Sequence, residues 1–432
     1  MKKVPLRRLI ASVENGAWGM DPEELSSEAT ALCIRAADFS FSDLRVDITR
    51  APTRGFDSRT LGRLRLSVGD IVLEKSGGGD NLPVGRTVLF DHEITAVPTN
   101  FAARVRPTSG VDSRYLTYLL RHLYESGATA RAIKQTTGIQ NLDTDAWLTT
   151  EAPLPSEDEQ LRIADFLDDR VARIDRIIAG RREQTFSARE AYESARRAVV
   201  LGTNSTCTLV TDLPWALEVG GDRVVRRLAQ VAAMGTGHTP SRSNPDYWID
   251  CTTPWLTTSD VHRFRRDEID EVATTAICIS ELGLANSAAV LHPAGTVALS
   301  RTASAGFSIV MGTDMATSQD FVTWTCGSDL DPHFLLASLR VMRPFLLGYL
   351  ATGSTHKTIY FPDLTDLRIP IPPLAAQRQS VVDVRALDAD YRSGNAALNR
   401  QVGLLTEYKA SLITAAVTGE LDVTTAGSNI PG

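Results

Sequence analysis

Residues 155–175 read PSEDEQLRIADFLDDRVARID and open a long helical pattern. Pro155 ends the element before it, and Ser156 is placed as the helix N-cap, with Glu159 three residues later completing a capping box. Apolar side chains then recur at steps of three and four, the spacing of a coiled-coil or bundle seam: Ile163, Leu167, Val171, Ile174 and Ile178. A continuous helix from residue 157 to about 200 would be roughly 65 Å long at 1.5 Å per residue.

A second pattern of this kind follows a second proline-rich segment, residues 369–373, which read IPIPP. Its apolar seam is Leu398, Val402, Leu405, Tyr408 and Leu412. Neither helix has a second apolar partner nearby in the sequence. The simplest prediction is therefore that the two long helices pair with each other.

The whole chain carries an internal duplication. Short segments of the first half match segments of the second half in the same order: 4–9 with 223–228, 69–73 with 295–299, 100–101 with 320–321, 112–116 with 331–335, 136–138 with 351–353, 154–155 with 371–372, and Gln160 with Gln377. Chance could produce any one match but hardly the ordered series, so the chain contains two copies of one plan. Each copy is a mixed region of short strands and helices, followed by a proline hinge and a long helix.

Composition is that of a globular protein, with 43% hydrophobic and 22% charged residues. The formal net charge is −7, but basic residues cluster in segments 45–65 and 104–134, whereas segment 157–193 is acidic. A negative total therefore does not exclude a nucleic-acid partner, because distribution matters more than the sum. Solvated surface is the alternative interpretation of each basic cluster.

The sequence contains no signal-peptide pattern and no apolar run long enough to cross a membrane. Its cysteines are Cys33, Cys207, Cys251, Cys278 and Cys326, and they form no Cys-x-x-Cys pair. A disulfide framework and a zinc knuckle are therefore not indicated, no metal site is predicted, and the cytoplasm is the expected compartment.

No catalytic pattern is visible. Asn244-Pro245 and Asp331-Pro332 lack the second proline of a base-gripping methyltransferase motif and are interpreted as turn or helix starts. Gly77-Gly78-Gly79 is not followed by the Gly-Lys-Ser/Thr of a phosphate-binding loop, so a simple turn is favoured. Glu407-Tyr408-Lys409 lies within the helical seam and is not interpreted as a nuclease site.

These features resemble the specificity subunit of type I restriction-modification enzymes. Residues 155–175 and 404–423 (LLTEYKASLITAAVTGELDV) are similar to its two helical spacers, and residues 76–86 and 237–241 to loops of its recognition domains. The resemblance implies an α+β fold, with two duplicated target-recognition domains separated by an antiparallel coiled coil in a pseudo-two-fold arrangement. The expected boundaries are 1–155 and 223–373 for these domains, 156–200 and 374–423 for the spacer helices, 201–222 for a linker and 424–432 for a tail.

The resemblance also implies function. The chain would bind double-stranded DNA at a bipartite, asymmetric site, and would direct adenine methylation or restriction by methyltransferase and motor-nuclease subunits without catalysis of its own. S-adenosylmethionine, ATP and Mg would be bound by those partners. Two alternatives stay open at this point: a non-catalytic recognition component of a type II-like enzyme, and a coiled-coil scaffold that does not read DNA.

Polar and basic residues on loops are the expected DNA readers. In the first copy they are Lys75, Ser76, Arg86, Thr136, Thr137, Gly138, Gln140 and Asn141. In the second copy they are Thr239, Ser241, Thr257, Ser300, Arg301, Thr302, Ser354, Thr355, His356 and Lys357. The predicted spacer contacts are made by Ile163, Leu167, Ile174, Ile178, Leu398, Val402, Leu405 and Leu412.

Overall fold

The structure is a computed structural model, and it describes residues 2–21, 30–79, 82–136, 138–204, 206–353 and 357–424, with the side chain of Thr136 excluded. Its contacts divide the chain into two compact units. Unit 1 comprises Met1–Gln184 with Leu398–Gly432, and unit 2 comprises Thr185–Ala397. Each unit therefore combines one copy of the duplicated plan with parts of both long helices.

In the residues that the structure describes, unit 1 contains short strands and three short helices before the long helix begins. Its strands are β1 Lys2–Pro5, β2 Ile10–Asn15, β3 Thr30–Ile34, β4 Phe39–Ser40, β5 Arg45–Val46, β6 Thr53–Gly55, β7 Ile71–Glu74, β8 Ser76–Gly77, β9 Thr87–Leu89, β10 Ala96–Pro98, β11 Ala102–Pro107, β12 Ile133–Thr136, β13 Ile139–Leu142 and β14 Glu151–Leu154. Its helices are α1 Ser58–Leu64, α2 Ser113–Glu125 and α3 Thr144–Trp147, followed by the start of the long helix α4 Glu157–Leu201.

The main sheet of unit 1 has the strand order β2-β11-β7-β9-β5-β4. Strand β7 is buried along its whole length, as expected for an apolar run in the middle of a sheet. Helix α2 begins at Asp112, whose carboxylate accepts from the backbone N–H groups of Arg114 and Tyr115 at 2.9 Å. The buried face of α2, including Leu119, packs in one core with Leu73 and Leu167.

Unit 2 repeats this construction. Its strands are β15 Cys207–Leu209, β16 Glu218–Gly220, β17 Val224–Arg227, β18 Ala232–Thr236, β19 Thr253–Leu256, β20 Glu271–Val272, β21 Cys278–Ile279, β22 Val297–Ser300, β23 Ser308–Met311, β24 Ala316–Thr317, β25 Phe321–Cys326, β26 Ala351–Thr352, β27 Thr358–Ile359 and β28 Arg368–Ile371. Its helices are α5 Glu281–Ala285, α6 Pro332–Phe345 and α7 Phe361–Thr365, and the long helix α8 Leu374–Thr418 begins in it.

The sheets confirm the predicted duplication. The order β2-β11-β7-β9 of unit 1 corresponds to β18-β25-β22-β23 of unit 2. Strand β1 pairs with β14 just before α4, and β17 pairs in the same antiparallel sense with β28 just before α8. Asp331 caps α6 as Asp112 caps α2, and Pro332 occupies the first turn, as predicted for a helix start.

In each copy, one buried glutamine connects the strand-and-helix region to its long helix. Gln160 accepts from Asp112 N at 2.9 Å and donates to Pro155 O at 3.1 Å and Gly110 O at 3.4 Å. Gln377 accepts from Asp331 N at 2.8 Å and donates to Pro372 O at 2.9 Å and Asp329 O at 2.8 Å. The sequence match of these glutamines is therefore confirmed as an equivalence of hydrogen bonds.

One predicted match was wrong by one residue. The sequence aligned Phe101 with Phe321, but in the ladders Ala102 pairs with Glu74 and Phe321 pairs with Ser300. Ala102 is thus the equivalent of Phe321. Since side chains alternate between the faces of a strand, a one-residue slip reverses their environment. Phe321 is buried, whereas Phe101 is half exposed.

The structure also adds a match that the sequence comparison missed. A Cβ atom on Gly16 would lie 2.1 Å from the carbonyl oxygen of Pro98, and one on Gly237 would lie 1.8 Å from that of Thr317. Gly16 is the residue after β2, and Gly237 is the residue after β18, and each of these strands lies at the edge of its sheet. Only glycine permits this approach of two backbone segments, and both copies use it.

In unit 1 the predicted seam residues Ile163, Leu167, Ile174 and Ile178 of α4 are buried together with Leu412. Val402 and Leu405 pack against this core half-buried, and Leu398 is half-exposed. Tyr408 was placed wrongly, because it is 41% exposed and Lys409 takes the core position. Steps of three, four and three residues lead from Val402 through Leu405 and Lys409 to Leu412, which keeps the heptad spacing.

In unit 2 the long helices also lie side by side. Tyr192 of α4 stacks on Tyr391 of α8 with ring centroids 4.3 Å apart. Val200, later in α4, shares a buried cluster with Val384, earlier in α8. The order of contacts is therefore antiparallel, as the resemblance implied.

The segment expected to be a linker, residues 201–222, is part of the fold of unit 2. It contains the antiparallel pair β15–β16. Leu213 and Trp215 from this segment are buried in the main core of the unit, and the indole N–H of Trp215 donates to Arg368 O at 2.9 Å. The final helix ends at Thr418, before the expected position 423. Among the described residues, no helix is long and apolar enough to cross a membrane.

Lys409 should reveal the energetic role of a cation in the seam. Its ammonium donates to the Asp175 carboxylate at 2.5 Å and to Ser42 O at 3.1 Å, and burial lowers its pKa. We expect Lys409→Met alone to lower the free energy of unfolding by about 1–3 kcal/mol, because Asp175 loses its cation. Combining it with Asp175→Leu should return stability to within about 1 kcal/mol of the parent. Urea unfolding measures both, and a double variant as unstable as the single one would contradict this.

Candidate nucleic-acid interface

In unit 1 the fold brings together two segments that the sequence named separately. Strand β8, which carries Ser76, pairs with β13, which carries Gln140 and Asn141. Strand β13 forms a hairpin with β12, so these residues lie on a strand rather than on the expected loop. Gly138 has φ = +85° at the turn, a conformation that glycine adopts without strain. The result is a small three-stranded sheet at the end of β7.

Lys75 lies at the junction between the main sheet of unit 1 and this hairpin. Its carbonyl oxygen accepts from Leu142 N at 2.8 Å, and its ammonium donates to Asn15 Oδ1 at 2.8 Å. The hydroxyl of Ser76 donates to Asn141 Oδ1 at 2.6 Å. Lys75, Ser76 and Asn141 are all partly exposed, so one polar surface combines a cation with amide groups.

Unit 2 places Arg301 in the corresponding position. Its carbonyl oxygen accepts from Ile359 N at 2.8 Å, as that of Lys75 accepts from Leu142 N. Ile359 belongs to the hairpin β26–β27, which corresponds to β12–β13. Both copies therefore attach a hairpin to the residue that follows the central strand, and in both that residue is basic.

The side chains around Arg301 differ from those around Lys75. Its guanidinium Nε donates to Gln319 O at 3.0 Å, and Thr239 donates to Gln319 Oε1 at 2.7 Å. Thr302 donates to Asp320 Oδ1 at 2.5 Å. The exposed Lys357 donates to Leu347 O at 2.8 Å, and Ser241 is exposed and bonded to Ser243. The two units thus present unlike polar groups on the same scaffold.

Four side chains that were predicted to contact DNA instead bond to other groups of the protein. The Arg86 guanidinium makes a two-pronged pair with Glu74 at 2.7 and 2.9 Å and lies 4.5 Å from the Phe41 ring centroid. Gln140 and Thr257 are buried, the first bonded to Val84 N and the second in a capping box with Asp260. Ser300 is fully buried. Their polar types suggested surface, but partners within the protein satisfy their hydrogen bonds, and for Thr257 and Ser300 those partners lie two or three residues away in the chain.

Lys134 on β12 is a basic residue whose charge is already paired. Its ammonium lies 2.5 Å from Asp143 and holds the pKa of that carboxyl below its usual value. Among the predicted readers, Thr137, Ser354, Thr355 and His356 lie outside the described residues, as does the side chain of Thr136.

Sequence reasoning missed two residues of this interface, Asn15 and Gln319. Asn15 ends β2 and bonds to Lys75, and Gln319 contacts both Thr239 and Arg301. Gln319 directly precedes the duplicated segment 320–321, and this position in the sequence could have identified it as part of the interface. Asn15 had none, because it meets Lys75 only through the pairing of β2 and β7 with β11.

Comparisons with known proteins agree with this architecture. Residues 221–399 match the family model described as "Type I restriction modification DNA specificity domain". A chain solved in work on complex assembly and conformational transition of the type I R-M system is similar over 97% of this chain and 98% of its own, with 16% identity and a TM-score of 0.73. The HsdS subunit from Thermoanaerobacter tengcongensis is similar over 97% of both chains, with 15% identity and a TM-score of 0.55.

The family match covers most of unit 2, and unit 1 repeats the same plan of strands, caps and buried glutamines. The similarity to solved structures extends this fold to nearly the whole chain. The chain therefore has the fold of these solved proteins over nearly its whole length, and its residues 221–399 match the type I restriction-modification DNA specificity domain.

Proposed function

We propose that each unit reads one half of a split, asymmetric DNA site. The observation that supports this most directly is the equivalent placement of Lys75 and Arg301, each beside a hairpin at the end of a central strand. A cation there would contact phosphate or the edge of guanine, while neighbouring amides and hydroxyls would contact other base edges. Because the neighbours differ between the units, the two half-sites should differ in sequence.

We infer that the paired long helices separate the two half-sites by a fixed number of unread bases. Each helix is 45 residues long. A continuous helix of that length exceeds one turn of DNA, about 34–36 Å, at 1.5 Å per residue. The gap in the DNA site would then be set by helix length and the half-sites by the hairpin regions.

We further propose that the chain has no catalytic activity and directs the activity of others. Methyltransferase subunits would dock on the long helices and methylate adenine within the site, and motor-nuclease subunits would join that core to restrict unmodified DNA. S-adenosylmethionine, ATP and Mg would be bound by those partners. A protein that reads DNA inside the cell would act in the cytoplasm.

The half-sites can be tested by changing one interface at a time. We expect Lys75→Ala with Asn141→Ala to relax or alter only one half of the methylated motif, and Arg301→Ala with Lys357→Ala only the other half. Each lost base contact should reduce discrimination by about 1–3 kcal/mol, roughly 5- to 150-fold. Methylome sequencing of cells that carry each variant together with its partner subunits gives the motif directly.

The exposed Lys3, on strand β1, provides a control, and Lys3→Ala should leave both half-sites unchanged. Gel shifts of the complex on random DNA would first separate a DNA reader from a scaffold. A continuous or palindromic parental motif would contradict the proposal, as would a variant of one unit that changes both halves.

A further inference from the structure

Unit 2 contains a groove that the DNA interface does not use. It has a volume of about 890 Å³ and lies between residues 189–197 of α4, residues 388–395 of α8, helix α6 and the loop of residues 265–268. Eight arginines and four carboxylates line it, so its walls carry excess positive charge. Its volume is that of a site for one small molecule, which is typically about 300–1,000 Å³.

The inner wall of the groove has too few carboxylates for its guanidinium groups. Asp267 is shared by three arginines, at 2.7 Å from Arg343, 3.3 Å from Arg340 and 3.7 Å from Arg196. Arg340 has a second carboxylate, Asp270 at 2.7 Å, whereas Arg196 lies no closer than 3.7 Å to Asp267 and 4.0 Å to Asp388. An additional anion would relieve this imbalance.

Arg196 is the most informative side chain of the groove. It is only 9% exposed, and its Nη1 donates to the hydroxyl of Tyr192 at 3.1 Å. That hydroxyl donates in turn to Asp388 at 2.6 Å. Within the described part of the chain, the Nε and Nη2 atoms of Arg196 have no hydrogen-bond acceptor. Buried donors of a charged group are rarely left unused, so these atoms indicate an acceptor supplied from outside the chain.

We propose that this groove binds an oligophosphate, the chemical group shared by free polyphosphate and nucleotides. Guanidinium groups match phosphate oxygens in pairs, and several arginines around one groove can contact successive phosphates. Arg265 and Arg266 are exposed on the loop and would contact the outer phosphates, while Arg196 would contact the inner one. The size of the groove favours a small molecule over duplex DNA.

Calorimetric titration of the full chain with tripolyphosphate and with ATP, at physiological ionic strength, tests the proposal. We expect saturable binding of both. Equal affinities would show that the phosphate chain alone is recognised, and tighter binding of ATP would show that the nucleoside adds contacts. Arg265→Gln with Arg266→Gln should weaken binding at least tenfold without disturbing the fold, since both side chains are exposed. Arg196→Gln should weaken it further.

The adjacent exposed arginines Arg7 and Arg8 of unit 1 provide a matched control. Arg7→Gln with Arg8→Gln removes the same charge and should leave oligophosphate affinity unchanged. Absence of saturable binding, or equal weakening by both pairs of substitutions, overturns the proposal. It is also overturned if duplex DNA without a recognition site displaces tripolyphosphate and the groove variants lose that duplex binding, because the groove would then be a general DNA contact.

Discussion

Leu167→Asp is expected to remove most of the stability of unit 1. Leu167 is fully buried in the core that joins α4 with α2 and the last part of α8. Aspartate there loses the packing of a leucine and places a carboxylate among apolar side chains without a cation. Together these effects should exceed about 5 kcal/mol, whereas a domain is typically stable by about 5–15 kcal/mol.

Hydrogen exchange followed by mass spectrometry localises this effect. Peptides from α2 and β11 should lose protection in Leu167→Asp, and urea unfolding should begin at a lower concentration. Leu161 on the same helix is 46% exposed, so Leu161→Asp introduces the same charge at a cost of about 0.5 kcal/mol or less. Leu405→Asp should lie between the two, because Leu405 is only half-buried. Equal effects at positions 161 and 167 would contradict the core described for α4.

Gln160→Ala and Gln377→Ala are expected to have the next largest effects, each in its own unit. Each glutamine is at most 1% exposed and makes three hydrogen bonds that link the start of a long helix to the turn before α2 or α6. Alanine leaves backbone groups there without partners, and each such group costs about 1–3 kcal/mol. We expect a loss of about 2–5 kcal/mol per variant, measured by urea unfolding.

Gln379 offers a control two residues away on α8. It is exposed, and among the described residues its side chain bonds to Asp383 of the same helix, so Gln379→Ala should change stability by about 0.5 kcal/mol or less. Hydrogen exchange should show that Gln160→Ala loosens the Asp112 turn and Gln377→Ala the Asp331 turn. Equal stability of the Gln377→Ala and Gln379→Ala proteins would contradict this role for the buried glutamines.

The duplication and both long helices were predictable because their signals are local. Caps such as Asp112 and Asp331 act within one helical turn, and three-four spacing marks a helix over a few residues. The ordered matches then required only that the same local signals occur twice. For this reason the mixed strand-and-helix content of each copy, the two long helices and the correspondence of the two glutamines followed from the sequence, while the α+β class followed from the family resemblance.

Positions that depend on distant partners were decided only by the tertiary structure. Lys409 fits a heptad core because Asp175, 234 residues away in the chain, supplies its counter-charge; without that partner, Tyr408 was the more apolar choice. Arg86 and Gln140 have polar side chains typical of a surface, yet they form hydrogen bonds inside the protein, with Glu74 and with the backbone N–H of Val84. Trp215 lay in an apparent linker, and its core exists only once unit 2 has formed. Helical periodicity and capping are determined by residues close together in the sequence, whereas the burial of a side chain depends on contacts with residues far away in the chain.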